Sequence, residues 1–379
     1  MEPLGRYPHA VVQRFDIGFL GGGQLARMSI QAAQRMGLRC LSLDPGSDTP
    51  ASQIAAAMVG KLNDPEKIAD VLRRCDRVTL ENEFILADDI EEACQLAKVP
   101  ESRIVPGIGS LDTIQDKLRQ RRALIKAGVP SPFAVALRDD PADAIEKIGF
   151  PMMIKTRFGG YDGKGAKCIR TYQELEKNRP LWEGGDWLAE QFVPFRRELA
   201  TMVYVSVQGT GCFPTMETVQ VDHVCDLVFP SGTDASDIAI AAVHAVGGVG
   251  LYGVELFELE DGTIQVNEIA PRPHISGHYT LDWGGVSQFE QHVRLVMGWP
   301  LDQPQGGEVC MANLFGRTPS GYHVKAIASA LEVPNVFFHW YGKAEAKPGR
   351  KMGHLNAVGE GCIARAKEAR ARFYRTWEQ

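Results

Sequence analysis

The feature that most constrains the fold is a regular alternation of short apolar runs and helical patterns over the first hundred residues. Each apolar run has the length of a buried strand, and each segment that follows repeats its apolar residues with helical spacing. This alternation predicts a βαβαβ unit, and hence a parallel, doubly wound sheet with helices on its faces. The predicted strands cover 15–20, 38–43 and 77–80, and the predicted helices cover 24–36, 64–75 and 87–98.

The composition indicates a folded, multidomain chain. Its 379 residues suggest two or three domains, and the 44% hydrophobic and 23% charged residues exclude a disordered or collagen-like chain. The formal net charge of -6 disfavours a nucleic-acid partner. The eight cysteines form no CxxC pair, the first residues lack the apolar core of a signal peptide, and no apolar run has membrane-spanning length. We therefore expect a cytoplasmic protein with reduced cysteines and no membrane partner.

After residue 128 the pattern changes from α/β to a predicted α+β organisation. A single long helix is predicted before the change, over 111–127. The patterns divide the chain into an N-terminal α/β domain (1–115), a central domain (116–300) that includes a lid (about 130–205), and a small C-terminal domain (301–379). The later predicted strands cover 152–155, 187–191, 197–207, 213–218, 250–259 and 263–270. The three from 187 to 218 are predicted to lie in a mostly antiparallel sheet, and the last two to form a hairpin. The later predicted helices cover 234–246 and 287–297, with a final basic helix after Cys362.

The first candidate site is a glycine-rich turn between a predicted strand and a predicted helix. Gly21, Gly23 and Ala26 have the spacing of a dinucleotide-binding turn, and Asp44 ends the next predicted strand. This pattern would suit an NAD-dependent oxidoreductase. The alternatives are a turn that binds another phosphate and a turn that only packs a helix against a strand.

A second glycine-rich segment covers 155–165 and combines four glycines with three cationic residues. It is not a Walker A loop, because Gly165 stands where that motif has Ser or Thr. Backbone N–H groups and cations in a flexible loop are suited to covering phosphate groups. We therefore predict that this segment closes over a phosphorylated ligand.

The third signal is a predicted hairpin around Asp261-Gly262. A two-residue turn there places Glu255 directly opposite Glu268 on the more apolar face. Two opposed carboxylates repel each other, and Mg²⁺ between them would remove that repulsion. A shared proton or an arginine partner would remove it as well. The other pairs predicted on this face are Phe257 with Val266 and Leu259 with Ile264.

Two further segments carry basic groups. The loop 270–278 follows the predicted metal hairpin and brings Arg272 and His274 into a Pro- and Gly-fixed segment, so we interpret it as a substrate wall. The tail segment 347–354 contains a basic turn. That turn could hold a phosphate monoester, or it could simply be solvated.

Taken in order, these motifs resemble the ATP-grasp superfamily and, within it, the N5-carboxyaminoimidazole ribonucleotide synthetase family. The resemblance extends from Ile17 to about Val358 and is carried by 21–28, 159–165 and 348–354. It implies an ATP-grasp fold and an ATP-dependent ligase of purine biosynthesis that carboxylates 5-aminoimidazole ribonucleotide through carboxyphosphate. It also implies Mg²⁺ and a homodimer.

The resemblance also implies roles for individual residues. The predicted catalytic residues are Lys155, Asp162, Arg272 and His274, and the predicted Mg²⁺ ligands are Glu255 and Glu268. The predicted ATP-binding residues are Lys117, Lys155, Gly160, Tyr161, Asp162, Gly163, Lys164, Gly165, Glu190, Gln191, Phe192, Val193, Glu198, Gln220, Asn267 and Glu268. The residues predicted to bind the ribonucleotide or bicarbonate are Gln24, Tyr161, Asp162, Lys164, Arg272, His274, Ser276, Arg350 and Lys351.

The chain departs from this family at two positions. Gln220 stands where His is usual, and Ile275 stands where Asn is usual, which affects a nucleotide contact and a substrate contact respectively. The alternatives that stay open are a formate-dependent glycinamide ribonucleotide transformylase, a biotin carboxylase, a dinucleotide-binding oxidoreductase and a catalytically silent nucleotide sensor.

Overall fold

The computed structural model of the chain describes residues 14–160, 165–317 and 323–378. In these ranges the strands form a five-stranded, a four-stranded and a nine-stranded sheet. No helix among the described residues is both long enough and apolar enough to cross a membrane.

The N-terminal sheet is parallel, as the alternating pattern predicts. Its strands are β1 (Phe15–Leu20), β2 (Cys40–Asp44), β3 (Ala56–Val59), β4 (Cys75–Leu80) and β5 (Ile104–Val105), and its helices are α1 (Gln24–Arg35), α2 (Pro65–Arg74) and α3 (Ala87–Ala97). A short 3₁₀ helix, Glu101–Arg103, precedes β5. The strand order is β3-β2-β1-β4-β5. Sequence reasoning missed β3 because this edge strand is largely exposed and has no buried apolar run.

The long helix predicted over 111–127 is wrong, because the structure has two helices there, α4 (Ile108–Gln115) and α5 (Lys117–Lys126). Between them Asp116 has an extended backbone, and its carboxylate accepts the N–H of Leu118 as an N-cap. The guanidinium of Arg157 pairs with the same carboxylate. The break thus depends partly on a residue that is distant in the sequence.

A separate antiparallel sheet occupies most of the predicted lid. Its elements are β6 (Ala134–Leu137), α6 (Ala142–Ile148), β7 (Met152–Thr156), β8 (Ala166–Ile169), α7 (Tyr172–Lys177), α8 (Arg179–Trp182) and β9 (Trp187–Gln191). The strand order is β6-β9-β7-β8, and the sheet packs on its own core around Trp182, Ile154 and Leu175. Placing 187–191 in one sheet with 197–207 was therefore wrong.

The largest sheet is antiparallel and runs through the rest of the chain. Its strands are β10 (Phe195–Ser206), β11 (Gly209–Cys212), β12 (Met216–Val221), β13 (Val224–Pro230), β14 (Gly250–Leu259), β15 (Ile264–Ala270), β16 (Val309–Phe315), β17 (Val336–Trp340) and β18 (Lys351–Val358). Its order is β15-β14-β10-β12-β13-β16-β18-β17, with β11 paired to β10. The helices in this part are α9 (Ser236–Val246), the 3₁₀ helix Ile275–Leu281, α10 (Gln288–Met297), α11 (His323–Leu331) and α12 (Cys362–Trp377).

The C-terminal strands extend this large sheet. β13 pairs with β16, with Leu227 opposite Ala312, so the ladder is continuous from the central part of the chain into its tail. Helices α11 and α12 cover these strands, and Phe373 and Trp377 are buried in the shared core. The predicted final helix after Cys362 is thus confirmed.

Candidate active site

The two predicted metal carboxylates face each other across the hairpin of β14 and β15. Glu255 is paired directly with Glu268. The hairpin turn is one residue longer than predicted, because the N–H of Leu259 donates to the carbonyl of Thr263. A β-bulge between Glu255 and Leu256, which leaves Asn267 as the extra residue, then restores the predicted pairing. The two deviations cancel at the carboxylates.

The predicted pairs nearer the turn are wrong. Phe257 is opposite Gln265, and Leu256 is opposite Val266. The prediction that Glu255 lies on the more apolar face is also wrong, because the buried core face of the hairpin carries Val254 and Leu256, whereas Glu255 lies on the half-buried opposite face. A carboxylate on that face can therefore reach a ligand.

Negative charge accumulates around Glu255. Burial, together with the nearby carboxylates of Glu268 and Glu198, raises the pKa of Glu255 to about 7. The charges of Lys117 and Lys351 act in the opposite direction. Lys117 forms an ion pair with Glu268. This corner of the molecule thus carries more negative charge than its own cations neutralise.

The carboxylates of Glu255 and Glu268 suit a cation that takes its other ligands from a bound substrate. Within 14–160, 165–317 and 323–378, no group of three or more His, Cys, Asp and Glu side chains is arranged to hold a metal ion. Two opposed carboxylates, Glu255 with its raised pKa and Glu268, combined with the phosphate oxygens of a substrate, match the way Mg²⁺ is usually bound. Asn267 lies beside them, and its amide Nδ2 donates to Glu255 Oε2 at 3.4 Å.

Glu190, the first of the four consecutive predicted ATP-binding residues 190–193, has a carboxylate that is fully engaged by the protein. Glu190 accepts from Arg121 Nε at 2.9 Å and Nη2 at 2.6 Å, and from Lys155 Nζ at 2.7 Å. Burial alone would raise its pKa, but the charges of Arg121 and Lys155 bring the pKa of Glu190 below its usual value. Arg121 also donates to the carbonyls of Val266 and Asn267, both at 2.8 Å. The side chain of Glu190 thus connects the lid sheet to the large sheet.

The remaining predicted nucleotide contacts lie along the same cleft edge. Gln191 and Phe192 are exposed, and Val193 is half-buried. Burial raises the pKa of Glu198, and a hydrogen bond with Gln220 opposes that rise. Gln220, where the family usually has His, thus contacts Glu198, which is itself among the predicted ATP-binding residues.

Arg272 is held by a carboxylate that sequence reasoning missed. Glu83 accepts from Arg272 through both carboxylate oxygens, with Nη2–Oε1 at 2.9 Å and a second contact from Nε to Oε2. Burial raises the pKa of Glu83, but the neighbouring guanidinium outweighs it and lowers the pKa overall. The available signal was the run Glu81–Glu83 directly after β4, because ligands of parallel sheets bind beyond the carboxyl ends of the strands.

His274 points its imidazole at the hairpin that carries Glu255 and Glu268. Its Nε2 lies 3.5 Å from Glu255 Oε1, and its Nδ1 lies 2.9 Å from the hydroxyl of Ser276 and 3.4 Å from the Ser276 N–H. Burial, with the charges of Arg272 and Lys351, lowers the pKa of His274 to about 3, so the ring is neutral at pH 7. Ile275, the second departure from the family, packs into an apolar core cluster.

The N-terminal glycine turn is filled by the protein's own carboxylates. Asp44 accepts the N–H groups of Gly22 at 2.9 Å and Gly46 at 2.8 Å. Glu81 accepts from the N–H of Leu25 at 3.2 Å, at the start of α1 where a pyrophosphate would otherwise bind. These contacts disfavour the dinucleotide interpretation. Gln24 lies half-buried at the first position of α1.

The basic tail places its two predicted phosphate ligands differently. Lys351, the first residue of β18, lies close enough for its charge to lower the pKa of both Glu255 and His274 relative to their other surroundings. Arg350 is exposed, and its guanidinium donates to the carbonyl of Glu345 at 3.1 Å. The structure thus brings Lys351, but not the guanidinium of Arg350, towards the carboxylates.

A cavity of about 160 Å³ opens over Lys117 and Glu268. Glu83 from the N-terminal domain and Gly159 and Gly160 from the lid also line it. Gly165 has a positive φ of 82°, and its carbonyl accepts the N–H of Thr156 at 2.7 Å. The predicted contacts of Tyr161, Asp162, Gly163 and Lys164 lie outside the described residues.

The three parts of the chain match three families. Residues 15–115 match the ribonucleotide synthetase preATP-grasp domain, 122–289 the ATP-grasp domain, and 309–368 the phosphoribosylaminoimidazole carboxylase C-terminal domain. A phosphoribosylaminoimidazole carboxylase of Ogataea methanolica is 36% identical, with coverage of 91% of this chain and 66% of that protein. The chain therefore spans slightly less than two thirds of the length of that relative.

Other similar proteins match along almost their whole length. An N5-carboxyaminoimidazole ribonucleotide synthase of Synechococcus elongatus is 37% identical, with coverage of 93% of this chain and 92% of that protein. The crystal structure of an Aspergillus clavatus N5-carboxyaminoimidazole synthase with ADP and 5-aminoimidazole ribonucleotide has a TM-score of 0.86 and 31% identity, covering 96% of this chain and 100% of that chain. These matches confirm the predicted ATP-grasp fold. The chain belongs to the N5-carboxyaminoimidazole ribonucleotide synthase family of ATP-grasp proteins.

Proposed function

We propose that this chain is a ligase that carboxylates 5-aminoimidazole ribonucleotide with bicarbonate, using ATP, to give N5-carboxyaminoimidazole ribonucleotide, ADP and phosphate. One observation carries the proposal: the opposed carboxylates Glu255 and Glu268 lie between Lys117, which pairs with Glu268, and His274, whose Nε2 is 3.5 Å from Glu255 Oε1. Arg272 lies nearby, paired with Glu83, which lines the cavity over Lys117 and Glu268. The cleft thus combines groups for polyphosphate, for a divalent cation and for a small anionic substrate.

The phosphates of ATP would be bound by Lys117 and Lys155, which pair with Glu268 and Glu190 in the structure. Glu255 and Glu268 would hold Mg²⁺, with Asn267 beside them. When bound, the ion neutralises charge on the β- and γ-phosphate oxygens. The surplus negative charge around Glu255 supports this role.

The reaction proceeds in two transfers. A bicarbonate oxygen attacks the γ-phosphorus while the bond to the ADP oxygen breaks, which yields carboxyphosphate. The exocyclic amine of the ribonucleotide then attacks the carboxyl carbon, phosphate leaves, and the amine loses one proton. Gly159 and Gly160 border the cavity, so closure of the glycine-rich loop would keep water from the labile acyl phosphate.

His274 would orient an oxygen rather than remove a proton. Its Nδ1 faces the N–H of Ser276 and accepts from it, which assigns the ring proton to Nε2. With a pKa of about 3 the ring is neutral, and Nε2 can donate to bicarbonate or to the carboxyl group. Arg272, fixed by Glu83, would supply the positive charge that attracts the anion.

ADP release measured with ATP, Mg²⁺ and bicarbonate, with and without the ribonucleotide, tests the proposal. We expect release to rise strongly when the ribonucleotide is added, and ¹³C-bicarbonate to appear in a carbamate product by NMR. Formate with glycinamide ribonucleotide, and NADH, serve as controls for the rival functions. Turnover with either control and none with bicarbonate would overturn the proposal.

The homodimer remains a prediction from the family resemblance, and the cytoplasmic location a prediction from the sequence composition. Light scattering at micromolar concentration measures the first directly. A mass near that of one 41.6 kDa chain would contradict it.

A further inference from the structure

Three buried glutamines each bind both main-chain groups of a single distant residue. Gln120 accepts the N–H of Ile269 at 2.9 Å and donates to its carbonyl at 3.2 Å. Gln288 does the same to His274, at 2.9 Å and 2.8 Å. Gln291 does the same to Asp302, at 3.2 Å and 2.8 Å. In each case a side-chain amide makes the two main-chain hydrogen bonds that a neighbouring strand would otherwise make.

The pair at Gln288 holds the residue that faces the metal hairpin. His274 follows β15 at the point where the chain has left the sheet, so no strand continues the ladder there. Gln288 is fully buried, and its own N–H donates to the hydroxyl of Thr280 at 2.9 Å. Its amide nitrogen also lies 2.9 Å from Nδ1 of the buried His278. The amide therefore has a fixed place on α10.

The two hydrogen bonds fix the position and the orientation of the His274 main chain. Two parallel bonds to one residue prevent rotation about either bond, and the imidazole is attached to the backbone through a single carbon. The ring is held in turn by Ser276. The position of Nε2, 3.5 Å from Glu255 Oε1, thus depends on Gln288 as well as on the ring's own contacts.

We propose that Gln288 is a positioning residue for the carboxylation reaction, acting through the backbone of His274. This inference depends on the function proposed above. Displacement of a substrate-orienting group by about 1 Å can cost about a hundredfold in rate. We therefore expect Gln288→Met, which preserves volume and removes both hydrogen bonds, to lower kcat between about ten- and a hundredfold.

Gln291 supplies a matched control. It lies one turn away on the same helix, is equally buried, and makes the same pair of bonds to a residue that the site does not use. Gln291→Met should lower thermal stability, because it leaves two main-chain groups without a partner, and Gln288→Met should lower it somewhat more, because it also removes the partner of His278 Nδ1. Its kcat and its KM for each substrate should stay within about twofold of wild type.

The decisive measurement is a double-mutant cycle with His274→Asn. If Gln288 acts through His274, Gln288→Met should add less than about a twofold loss in the His274→Asn background, while its effect in wild type is large. The KM for ATP should be unchanged in all variants. If Gln288→Met proves insoluble, Gln288→Glu keeps the acceptor to the His274 N–H and enters the same cycle.

Equal losses of kcat for Gln288→Met and Gln291→Met would overturn the inference, as would fully additive effects of Gln288→Met and His274→Asn. Wild-type activity separates this failure from a failure of the proposed function. If wild-type chain releases no ADP in response to the ribonucleotide, the function is wrong; if it does and the cycle is additive, only the role of Gln288 is wrong.

Discussion

Two carboxylates of the cleft, Glu190 and Glu255, are partly withdrawn from water but have opposite electrostatic surroundings. Glu190 accepts from Arg121 and Lys155 and has a lowered pKa despite its burial. Glu255 faces Glu268, lies near Glu198, and has its pKa raised to about 7. The protein neutralises the charge of Glu190 but not that of Glu255.

The difference separates a structural role from a ligand-binding role. A buried charge with complete partners holds elements together, and here it joins α5, the lid sheet and β15. A cluster of like charges costs stability and persists where a ligand later neutralises it. Four predictions test whether this contrast is correct.

The largest effect is expected for Glu190→Gln. The change leaves the buried guanidinium of Arg121 without its counter-charge, so the free energy of unfolding should fall by about 3–5 kcal/mol. Urea denaturation measures it. The half-exposed pair of Glu176 and Arg179 is the control, and Glu176→Gln should change the free energy of unfolding far less. Similar losses of unfolding free energy for both variants would show that Glu190 has no special structural role.

Glu255→Gln should have the reverse profile. The near-isosteric amide relieves repulsion with Glu268, so the unfolding free energy should not fall. ADP release should drop at least about a hundredfold, because the cation contributes several kcal/mol to the reaction. Steady-state kinetics at saturating Mg²⁺ checks this, and near-normal turnover would show that Glu255 is not a metal ligand.

Lys351→Ala removes a cation near Glu255, the carboxylate whose charge the protein does not neutralise. Loss of one charge-assisted contact with the ribonucleotide phosphate should cost about 1.5–3 kcal/mol, or roughly ten- to more than a hundredfold in KM for that substrate. The KM for ATP should change little. Arg350→Ala is the matched control, since its guanidinium donates to Glu345 instead. Equal effects of the two variants would show that only net charge matters.

The smallest effect is a difference in the sign of the pH dependence of stability. The folded pKa of Glu190 is below 4.5, so its stabilisation is complete above pH 4.5 and is lost as the pH falls through the folded pKa. The folded pKa of Glu255 is about 7 against 4.5, so stability falls as the pH rises between these values. In metal-free buffer, wild type should lose about 1–3 kcal/mol relative to Glu255→Gln over that window. A constant difference between the two proteins would contradict the raised pKa.

The hairpin shows what sequence reasoning can and cannot predict. The opposition of Glu255 and Glu268 follows from counting along two strands, and the structure has it. The count assumed a two-residue turn without a bulge, and both assumptions are wrong. A longer turn and a bulge at Asn267 compensate, because each shifts the register by one residue in opposite directions. Local sequence signals the turn, but the bulge depends on packing and on contacts such as those of Arg121 with Val266 and Asn267.

Contacts between distant segments account for most of the features that the sequence did not predict. The parallel N-terminal sheet was predictable because its strands and helices follow local periodicity. The break at Asp116 depends partly on Arg157, and the orientation of Arg272 depends on Glu83, which is 189 residues away. In both pairs, no pattern in the sequence around one residue identifies its partner. The neutralisation of Glu190 by Arg121 was missed for the same reason.

The continuity of the large sheet has a practical consequence for rebuilding this chain. The lid sheet, between β6 and β9, shares no ladder with the nine-stranded sheet, so a lid transplanted from another ATP-grasp protein would leave every strand pairing of the large sheet intact. Truncation after Pro300 would remove β16, β18 and β17 together and leave β13 as a bare edge prone to association. As an engineering part, the lid is exchangeable as long as it keeps a carboxylate for Arg121, and the tail is not.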